Sequence, residues 1–411
     1  MIESRPDARH WYQSLRPVEA GGHEVMLLES GGEFFPALID AISRARAEIM
    51  VETYIFEDDA SGRAVARALA LAASRGVTVR LSVDAYGTPA LAGEVGRALR
   101  GAGVEIRFYR PERARWFPSR QRLRRLHRKI AVIDGQTAFV GGINMLDDRF
   151  DPNHGPLAEP RLDFAVRVRG PIVAKVHLAA HRLWWELSVV RSPLRALRDA
   201  EASWRALVEE LVSDTTRAGS IRATLVLRDN LRFRRAIERR YLRLIGRART
   251  EVLIANAYFF PGARFRRALV AAARRGVRVR LLLQGRVEYR LPHFAAHALY
   301  EELLREGVEI FEYTRSFLHA KVAVIDGAAT VGSSNIDPFS LLLAREANVF
   351  VNDRAFAAQL RARIDAAIAG GAVPVPLQHH QHRPWPLRLL NAISFVLLRL
   401  GVALSGEGGS Y

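Results

Sequence analysis

Two short segments of this sequence carry the same reactive side chains at the same spacing. Residues 127–134 and 319–326 both have the form His-x-Lys-x4-Asp, and glycine follows each aspartate. Histidine can attack phosphorus or carry a proton near neutral pH. Lysine is rare in this chain: three of the 61 basic residues are lysines and the other 58 are arginines. Two of the three lysines fall in the repeated pattern, which suggests a tight phosphate site suited to a compact ammonium group.

A glycine-rich segment that ends in asparagine follows each copy, at residues 141–144 and 332–335. Residues two apart on a strand share a face, so each histidine projects on the same side as its lysine, while the aspartate points to the other side. Glycine lets the backbone approach a ligand, and the asparagine amide adds a neutral donor. Two copies would offer two imidazoles and four donors to one anion.

These groups predict transfer chemistry at a phosphodiester. One imidazole would attack phosphorus to give a phosphohistidine, and the other would protonate the departing alkoxide and later deprotonate the incoming alcohol. Lysines and asparagines would hold the nonbridging oxygens. The predicted catalytic residues are His127, Lys129, Asp134, His319, Lys321 and Asp326, with Asn144 and Asn335 as phosphate-binding residues. This chemistry needs no cofactor and no metal, and we assign no metal ligands.

Each histidine requires a carboxylate that orients its ring. Asp163 and Glu346 occupy matching positions in the two halves and are the best candidates. A second role is open for Asp134 and Asp326, since an aspartate before glycine often caps a turn.

The two halves of the chain repeat in order, and they define the elements that must position these residues. Residues 47–56 match 251–260, residues 75–81 match 275–281, and residues 103–109 match 307–313. Short β-branched runs alternate with segments of helical period, which predicts an α/β fold with helices on both faces of each sheet. We expect domains at residues 1–190 and 221–370, a connector at 191–220, and a Pro/His-rich tail at 371–411.

Composition predicts an anionic partner. The net charge is +18, the chain has no cysteine for disulfides or thiolate chemistry, and residues 1–23 lack a hydrophobic signal core. The apolar stretch 389–404 is shorter than a membrane span. With Trp385 and flanking arginines, it predicts either a helix in a membrane interface or a terminal helix packed on the core.

An insertion precedes the first His-x-Lys segment. Residues 103–127 exceed the matching stretch 307–319 by twelve residues, and the added segment is rich in arginine around Trp116 and Phe117. Arginine interleaved with aromatic residues suits lipid headgroups or single-stranded nucleic acid. The apolar tail and this insertion favour lipid, so nucleic acid is disfavoured as a partner.

The paired motifs and their asparagine segments resemble those of the phospholipase D superfamily over nearly the whole chain. Residues 52–59, 255–262, 276–285 and 332–338 are similar to the B-type branch of bacterial cardiolipin synthases. The resemblance implies two phospholipase-D-like domains, each a mixed sheet flanked by helices, related by a pseudo-twofold axis. It also implies that two phosphatidylglycerols condense to cardiolipin and glycerol, with His127 as nucleophile and His319 as general acid and base. The symmetry of the repeat leaves the reverse assignment of the two histidines open. The enzyme would be peripheral on the cytoplasmic side of the inner membrane.

Two departures from that family pattern stand in the second half. The spacing from Asp326 to Gly332 is one residue shorter than from Asp134 to Gly141, which could shift strand register or be confined to a turn. Ala344 stands where related synthases commonly have asparagine. Two alternatives remain: a superfamily hydrolase, nuclease or phosphodiesterase that uses the same histidines, and a basic membrane or nucleic-acid binding protein with an inactive site.

Overall fold

The computed structural model describes residues 14–110, 124–151, 154–189, 217–229, 233–378 and 382–402. The arginine-rich insertion around Trp116, most of the predicted connector, and His379 and His380 of the tail lie outside these residues. The first half contains, in chain order, β1 (Ala20–Glu29), α1 (Ser30–Ser43), β2 (Glu48–Thr53), α2 (Ala60–Ser74), β3 (Thr78–Asp84), α3 (Glu94–Gly101), β4 (Glu105–Tyr109), β5 (Lys129–Ile133), β6 (Thr137–Gly141), β7 (Phe150–Asp151), β8 (Gly155–Pro156), β9 (Phe164–Arg169) and α4 (Ile172–Val189).

The second half repeats this order. It contains β10 (Ile221–Arg228), α5 (Ala236–Arg247), β11 (Glu251–Asn256), α6 (Ala263–Arg274), β12 (Arg278–Gln284), α7 (Arg290–His297), α8 (Tyr300–Arg305), β13 (Glu309–Tyr313), β14 (Lys321–Ile325), β15 (Ala328–Gly332), α9 (Pro338–Leu342), β16 (Glu346–Asn352) and α10 (Arg354–Gly371), followed by β17 (Ala372–Pro374) and α11 (Trp385–Val402). Strand β17 pairs with β13, so the sheet of the second half continues into the predicted tail.

Fifteen of the described strands form one continuous mixed sheet that is nearly symmetric about its centre, and β7 pairs with β8 in a separate two-stranded sheet. The order of the large sheet is β17-β13-β12-β11-β14-β15-β16-β10-β1-β9-β6-β5-β2-β3-β4. The two halves join where β1 pairs with β10 in antiparallel fashion. The α/β fold and its duplication are confirmed, but the two predicted sheets are continuous across the join.

Helices cover both faces of the sheet. On one face, α4 and α10 pack over the joined halves in a core cluster that includes Val173, Trp184, Leu360 and Ile364. On the other face, α1 and α2 cover the first half, and α5 and α6 cover the second. The buried strands β5 and β14 lie inside these layers, so their termini are held in fixed positions.

The shortened spacing in the second half is confined to a turn. Ile133 pairs with Thr137 across three residues, whereas Ile325 pairs with Ala328 across two. Beyond the turn the register is the same, because β5 and β14 pair with β6 and β15 at equivalent positions. The deletion therefore leaves the segment 332–335 in place relative to His319.

Strand register corrects one detail of the sequence repeat. Asp134 donates its backbone N–H to the carbonyl of Glu48, and Asp326 donates to the carbonyl of Glu251. Glu48 is thus the counterpart of Glu251. The sequence match of residues 47–56 with 251–260 had aligned Glu251 with Ala47, one residue earlier.

The C-terminal helix α11 packs on the core along one side, as one of its two sequence-based interpretations predicts. Leu398 is buried with Phe260, Ala295 and Leu299, and Phe395 packs against them. The opposite side exposes seven large apolar residues: Trp385, Leu389, Leu390, Ile393, Val396, Leu397 and Leu400. Among the described residues, no helix is both long and apolar enough to cross a membrane.

Candidate active site

The two His-x-Lys segments meet where the halves of the chain face each other. His127 donates its backbone N–H to the carbonyl of Arg345, and His319 donates to the carbonyl of Leu162. Each histidine therefore lies just before a strand of its own half while its backbone is held by the other half. Both imidazoles and both asparagines, Asn144 and Asn335, line one pocket of about 420 Å³.

The orienting carboxylates are crossed between the halves. Nδ1 of His127 lies 2.9 Å from Oε1 of Glu346, and Nδ1 of His319 lies 2.6 Å from Oδ2 of Asp163. Because a carboxylate accepts, each Nδ1 carries the hydrogen, and each Nε2 keeps the lone pair that a nucleophile or base requires. Sequence reasoning placed both carboxylates at the site, and the structure adds which histidine each one holds.

The carboxylates are themselves fixed by their own halves. The hydroxyl of Ser333 donates to Glu346, and the backbone N–H of Phe164 donates to Asp163 over 2.8 Å. In the first half Gly142 takes the place of Ser333. A Cβ at Gly142 would lie 2.3 Å from Asp163, so only glycine fits there.

The two lysines are buried beneath the histidines. Lys129 donates to the carbonyl of His127 over 2.8 Å, and Lys321 donates to the carbonyl of His319. An ammonium group has three hydrogens, so each lysine keeps donors for a bound anion. Burial lowers the pKa of Lys129 to about 7 and that of Lys321 to about 8.

Burial also shifts the pKa values of the groups around the histidines. It lowers the pKa of His127, which the negative charge of Glu346 partly opposes. The pKa of His319 is lowered well below its usual value, first by burial and then by the charges of Lys321, Lys129 and Arg161. Burial raises the pKa of Asp163 to about 6. Both imidazoles are therefore neutral in the substrate-free site.

Asp134 and Asp326 do not reach this pocket, and grouping them with the catalytic residues is a correction to the sequence-based prediction. Asp134 follows β5 at the end away from the histidine, about 16 Å from Lys129 at 3.3 Å per residue. Its carboxylate accepts backbone N–H groups at 46, 47 and 48, and Asp326 does the same at 249, 250 and 251. Both have positive φ, near 50°. They fix the turn that anchors the catalytic strand.

The profile of a family described as "Cardiolipin synthase, PLD-like domain" matches residues 38–158 and 241–368, which include both His-x-Lys segments. The chain belongs to this family. It is 41% identical over 387 residues to cardiolipin synthase B of Escherichia coli K12, covering 94% of this chain and 90% of that protein. It is 33% identical to cardiolipin synthase A of Pseudomonas entomophila, covering 82% of this chain and 67% of that protein.

A solved structure with the same fold is the phosphatidylserine synthase of Haemophilus influenzae. The TM-score is 0.66 at 13% identity, and the match covers 97% of this chain and 99% of that one. At this identity the similarity concerns the fold alone.

Several pocket residues of this cardiolipin synthase family member escaped the sequence analysis. Gln284 accepts the N–H of Leu318 with Oε1, and no described residue accepts from its buried Nε2. Tyr258 donates its hydroxyl to Glu288 over 2.6 Å. The remaining polar residues of the lining include Tyr54, Arg125, Arg286 and Tyr289. Two signals were available. Tyr54 and Tyr258 align in the sequence repeat, and Gln284 ends its strand as Asp84 does in the first half, where Asp84 accepts the N–H of Leu126.

Ala344, the second departure from the family pattern, also lines the pocket. Its side chain is buried, and its carbonyl accepts a hydrogen bond from Arg228. An asparagine here would bring an amide into the pocket wall, so the alanine makes that wall less polar.

Proposed function

We propose that this chain is a phosphatidyltransferase that condenses two phosphatidylglycerol molecules to cardiolipin and glycerol. The observation that carries the proposal is the crossed pairing of His127 with Glu346 and of His319 with Asp163 around one pocket. Two oriented imidazoles at one anion site are the parts that a double displacement at phosphorus requires. The family relationship supports the same reaction.

In the first step, Nε2 of one histidine attacks the phosphorus of a phosphatidylglycerol. The negative charge of the bound phosphodiester favours a proton on Nε2 of the second histidine, which is then an imidazolium. The new P–N bond forms as the P–O bond to the headgroup glycerol breaks, and the second histidine gives this Nε2 proton to the departing oxygen. Free glycerol leaves, and a phosphatidyl-histidine remains.

In the second step, a second phosphatidylglycerol enters with its terminal glycerol hydroxyl toward phosphorus. The second histidine, now neutral, removes the hydroxyl proton as the oxygen attacks. The P–N bond breaks, cardiolipin forms, and both histidines return to their starting states.

The surroundings of the two histidines favour His319 as the nucleophile, the reverse of the assignment that the resemblance implies. Lys321 lies 3.9 Å from the carboxylate that holds His319, which weakens the support of that carboxylate for a protonated ring. Burial and the charges of Lys321, Lys129 and Arg161 also lower the pKa of His319. A nucleophile must be neutral, whereas the general acid must hold a proton. We therefore assign the proton-transfer role to His127.

The donors around the histidines would stabilise the charge that develops on the nonbridging oxygens. Lys129 and Lys321 supply ammonium groups from below the pocket, and Asn144 and Gln284 supply amides in its wall. Oδ1 of Asn144 accepts the N–H of Ile55 over 3.1 Å, so the amide nitrogen of Asn144 faces away from Ile55. Prearranged donors of this kind act most strongly in a buried site.

The lipid would reach the pocket from the side of helix α11. Leu398 of this helix lines the pocket, and α11 packs on α7, which contributes Pro292, His293 and Ala296 to the lining. The exposed apolar face of α11 carries Trp385 and is flanked by arginines, as expected for a helix in a membrane interface. We place the protein as a peripheral enzyme on the cytoplasmic side of the inner membrane.

The proposal is tested by incubating the purified full chain with phosphatidylglycerol vesicles and analysing the lipids. We expect cardiolipin and free glycerol in equal amounts. His127→Ala and His319→Ala should each reduce turnover by at least about 10³-fold, whereas His154→Ala, a surface histidine paired with Asp151, should not. Phosphatidic acid as the sole product would mean a hydrolase, and DNA cleavage without lipid turnover would mean a nuclease. Either result contradicts the proposal.

A further inference from the structure

Three metal-ligating atoms converge at the end of β2 that lies away from the pocket. Nε2 of His177 is 2.7 Å and Nε2 of His181 is 2.9 Å from the same oxygen, Oε2 of Glu48. The two Nε2 atoms are 3.0 Å from each other. The histidines lie four residues apart on α4 and so share one face of the helix, which packs against the strand of Glu48.

Hydrogen bonds among these three atoms cannot all be favourable at once. If both histidines donate from Nε2 to Glu48, the two N–H groups crowd each other with no hydrogen bond between them. If one histidine donates to the other, a lone pair of the second faces the carboxylate oxygen. A single cation at the centre would be favourable for all three atoms. Tetrahedral Zn²⁺ keeps its ligand atoms about 3.3 Å apart, so only a small outward shift is needed.

Arg80 holds Glu48 as an outer-shell residue of a metal site would, whereas Nδ1 of His177 is buried with no hydrogen-bond partner among the described residues. Arg80 donates to the other carboxylate oxygen of Glu48 over 2.7 Å, which directs Oε2 toward the histidines. The side chains of His177, His181 and Glu48 are 8, 16 and 18% exposed. This partial burial shields the three ligands, and a water molecule would be the fourth ligand of a tetrahedral ion.

The duplicated half provides an internal comparison. Glu251, the counterpart of Glu48, also gives one oxygen to a strand arginine, Arg280. Its second oxygen lies 2.7 Å from a cation, the guanidinium of Arg361. Counted from Asp163 and Glu346, the counterparts of His177 and His181 are Leu360 and Ile364, which are buried in the core. In the second half, the cation beside the glutamate is Arg361, and the matching helix positions are apolar. In the first half, these two positions are histidines that face the glutamate.

We propose that Glu48, His177 and His181 bind one divalent transition-metal ion of the Zn²⁺ class. Two imidazoles with one carboxylate suit Zn²⁺ and its neighbours, and they disfavour Mg²⁺ and Ca²⁺, which prefer oxygen ligands. The site lies beside the turn of Asp134, because the carboxylate of Asp134 accepts the N–H of Glu48. The ion would join helix α4 to the base of the catalytic strands and have no part in the chemistry at the histidines of the pocket.

The test is Zn²⁺ binding to the full chain after removal of metals with a chelator. Titration calorimetry and metal analysis should give one tightly bound ion per chain, and Co²⁺ should give the visible absorption of a four-coordinate ion. The midpoint of thermal unfolding should rise by about 3 °C with Zn²⁺. All three signals should be absent from His181→Ala, which removes one ligand, the more exposed of the two histidines.

Three further variants separate this site from other histidines. His154→Ala removes a histidine that is also paired with a carboxylate, and the ion should remain bound. Substitution of His379, His380 and His382 by alanine tests the tail, and this variant should also keep the ion. The double variant His177→Leu with His181→Ile copies the second half, so it should fold and bind no Zn²⁺.

Three outcomes would overturn the proposal. Equal Zn²⁺ binding by the wild type and by the folded His177→Leu, His181→Ile variant would exclude this site. Loss of the ion in the tail variant alone would assign it to the tail. If the wild type binds no Zn²⁺ at stoichiometric concentration, protons are the only cations of the cluster and the proposal is wrong.

Discussion

His127 is held by Glu346, a residue of the opposite half that lies 219 positions later in the chain. The reciprocal contact joins His319 to Asp163. Neither half therefore contains a complete catalytic histidine with its orienting carboxylate. The duplication does more than supply two copies, because each copy completes the site of the other.

The crossed pairing predicts strong effects from two conservative changes. Glu346→Gln and Asp163→Asn keep the size of the side chain and its ability to hydrogen-bond. The new amide can turn its NH2 group toward Nδ1, which favours the tautomer with the hydrogen on Nε2 instead of Nδ1. We expect each to lower kcat by roughly 10²–10⁴-fold with little change in thermal stability. The rate of cardiolipin formation on vesicles checks this.

A matched control is Asp365→Asn, which alters a carboxylate of the second half that pairs with Arg280 outside the pocket. It should retain near wild-type kcat. Full activity in Glu346→Gln would mean that the crossed carboxylate has no role in orienting His127.

The lowered lysine pKa values predict weaker anion binding as pH rises. The pKa is about 7 for Lys129 and about 8 for Lys321, so both are charged at lower pH and become neutral as pH increases. The affinity for glycerophosphoglycerol, a soluble phosphodiester of constant charge, should fall by at least about tenfold between about pH 6.5 and about pH 9. Calorimetry at several pH values measures this. An affinity that is flat or rises over this range would contradict the assignment, and Lys129→Met should flatten part of the curve.

The fit of the two lysines predicts that arginine cannot replace them. Lys321 is fully buried and Lys129 is 4% exposed, and each reaches a specific backbone carbonyl. A longer planar guanidinium would displace the histidine it supports. We expect Lys129→Arg and Lys321→Arg each to lower kcat by at least about 10²-fold. Lys175→Arg, at a lysine outside the pocket that donates to the carbonyl of Arg16, should be silent. Near-full activity of either pocket variant would refute this role.

The turn aspartates should affect stability more than chemistry. Asp134→Ala removes a carboxylate that accepts three backbone N–H groups and puts alanine at a positive φ. The free energy of unfolding should fall by about 2–3 kcal/mol, while kcat per folded molecule stays within a few-fold. Denaturant unfolding and a low-temperature activity assay measure the two quantities. Asp326→Ala should behave alike. A large loss of kcat at unchanged stability would restore a catalytic role.

The exposed face of α11 predicts a membrane-binding surface. Replacing Ile393 and Val396 by aspartate should reduce sedimentation with phosphatidylglycerol vesicles by at least about tenfold, because each exposed side chain contributes apolar area to the interface. Activity on a short-chain soluble lipid should be retained. Leu71→Asp, at an exposed leucine of α2, is the matched control and should bind vesicles normally. Normal binding by the α11 variant would exclude this face.

The sequence predicted the duplicated α/β fold and the approach of the two His-x-Lys segments to one site, but it also grouped Asp134 and Asp326 with them. It could predict this approach because the repeated His-x-Lys segments precede buried strands, whose alternation fixes which side chains share a face. Crossing of the carboxylates was not predictable, since Asp163 and Glu346 match each other in the repeat and either could serve either histidine. That choice depends on how β9 and β16 approach the opposite half.

Other features depend on contacts between distant elements. Gln284 is one polar residue at the end of an apolar strand, and only the neighbouring Leu318 makes it part of the pocket. Glu48 and the histidines of α4 are separated by more than a hundred residues, so their spacing carries no signal. The turn role of Asp134 was foreseen as an alternative, and its geometry now favours it.

The most direct test of the mechanism is a single turnover with phosphatidylglycerol labelled at phosphorus, quenched in alkali. The account predicts a labelled protein that is stable in alkali and labile in acid, one glycerol released per label, and a label on the peptide that contains His319 and absent from His319→Ala. A label on His127 would reverse the assignment of the two histidines. Formation of cardiolipin with no labelled protein at any time would contradict the phosphohistidine route.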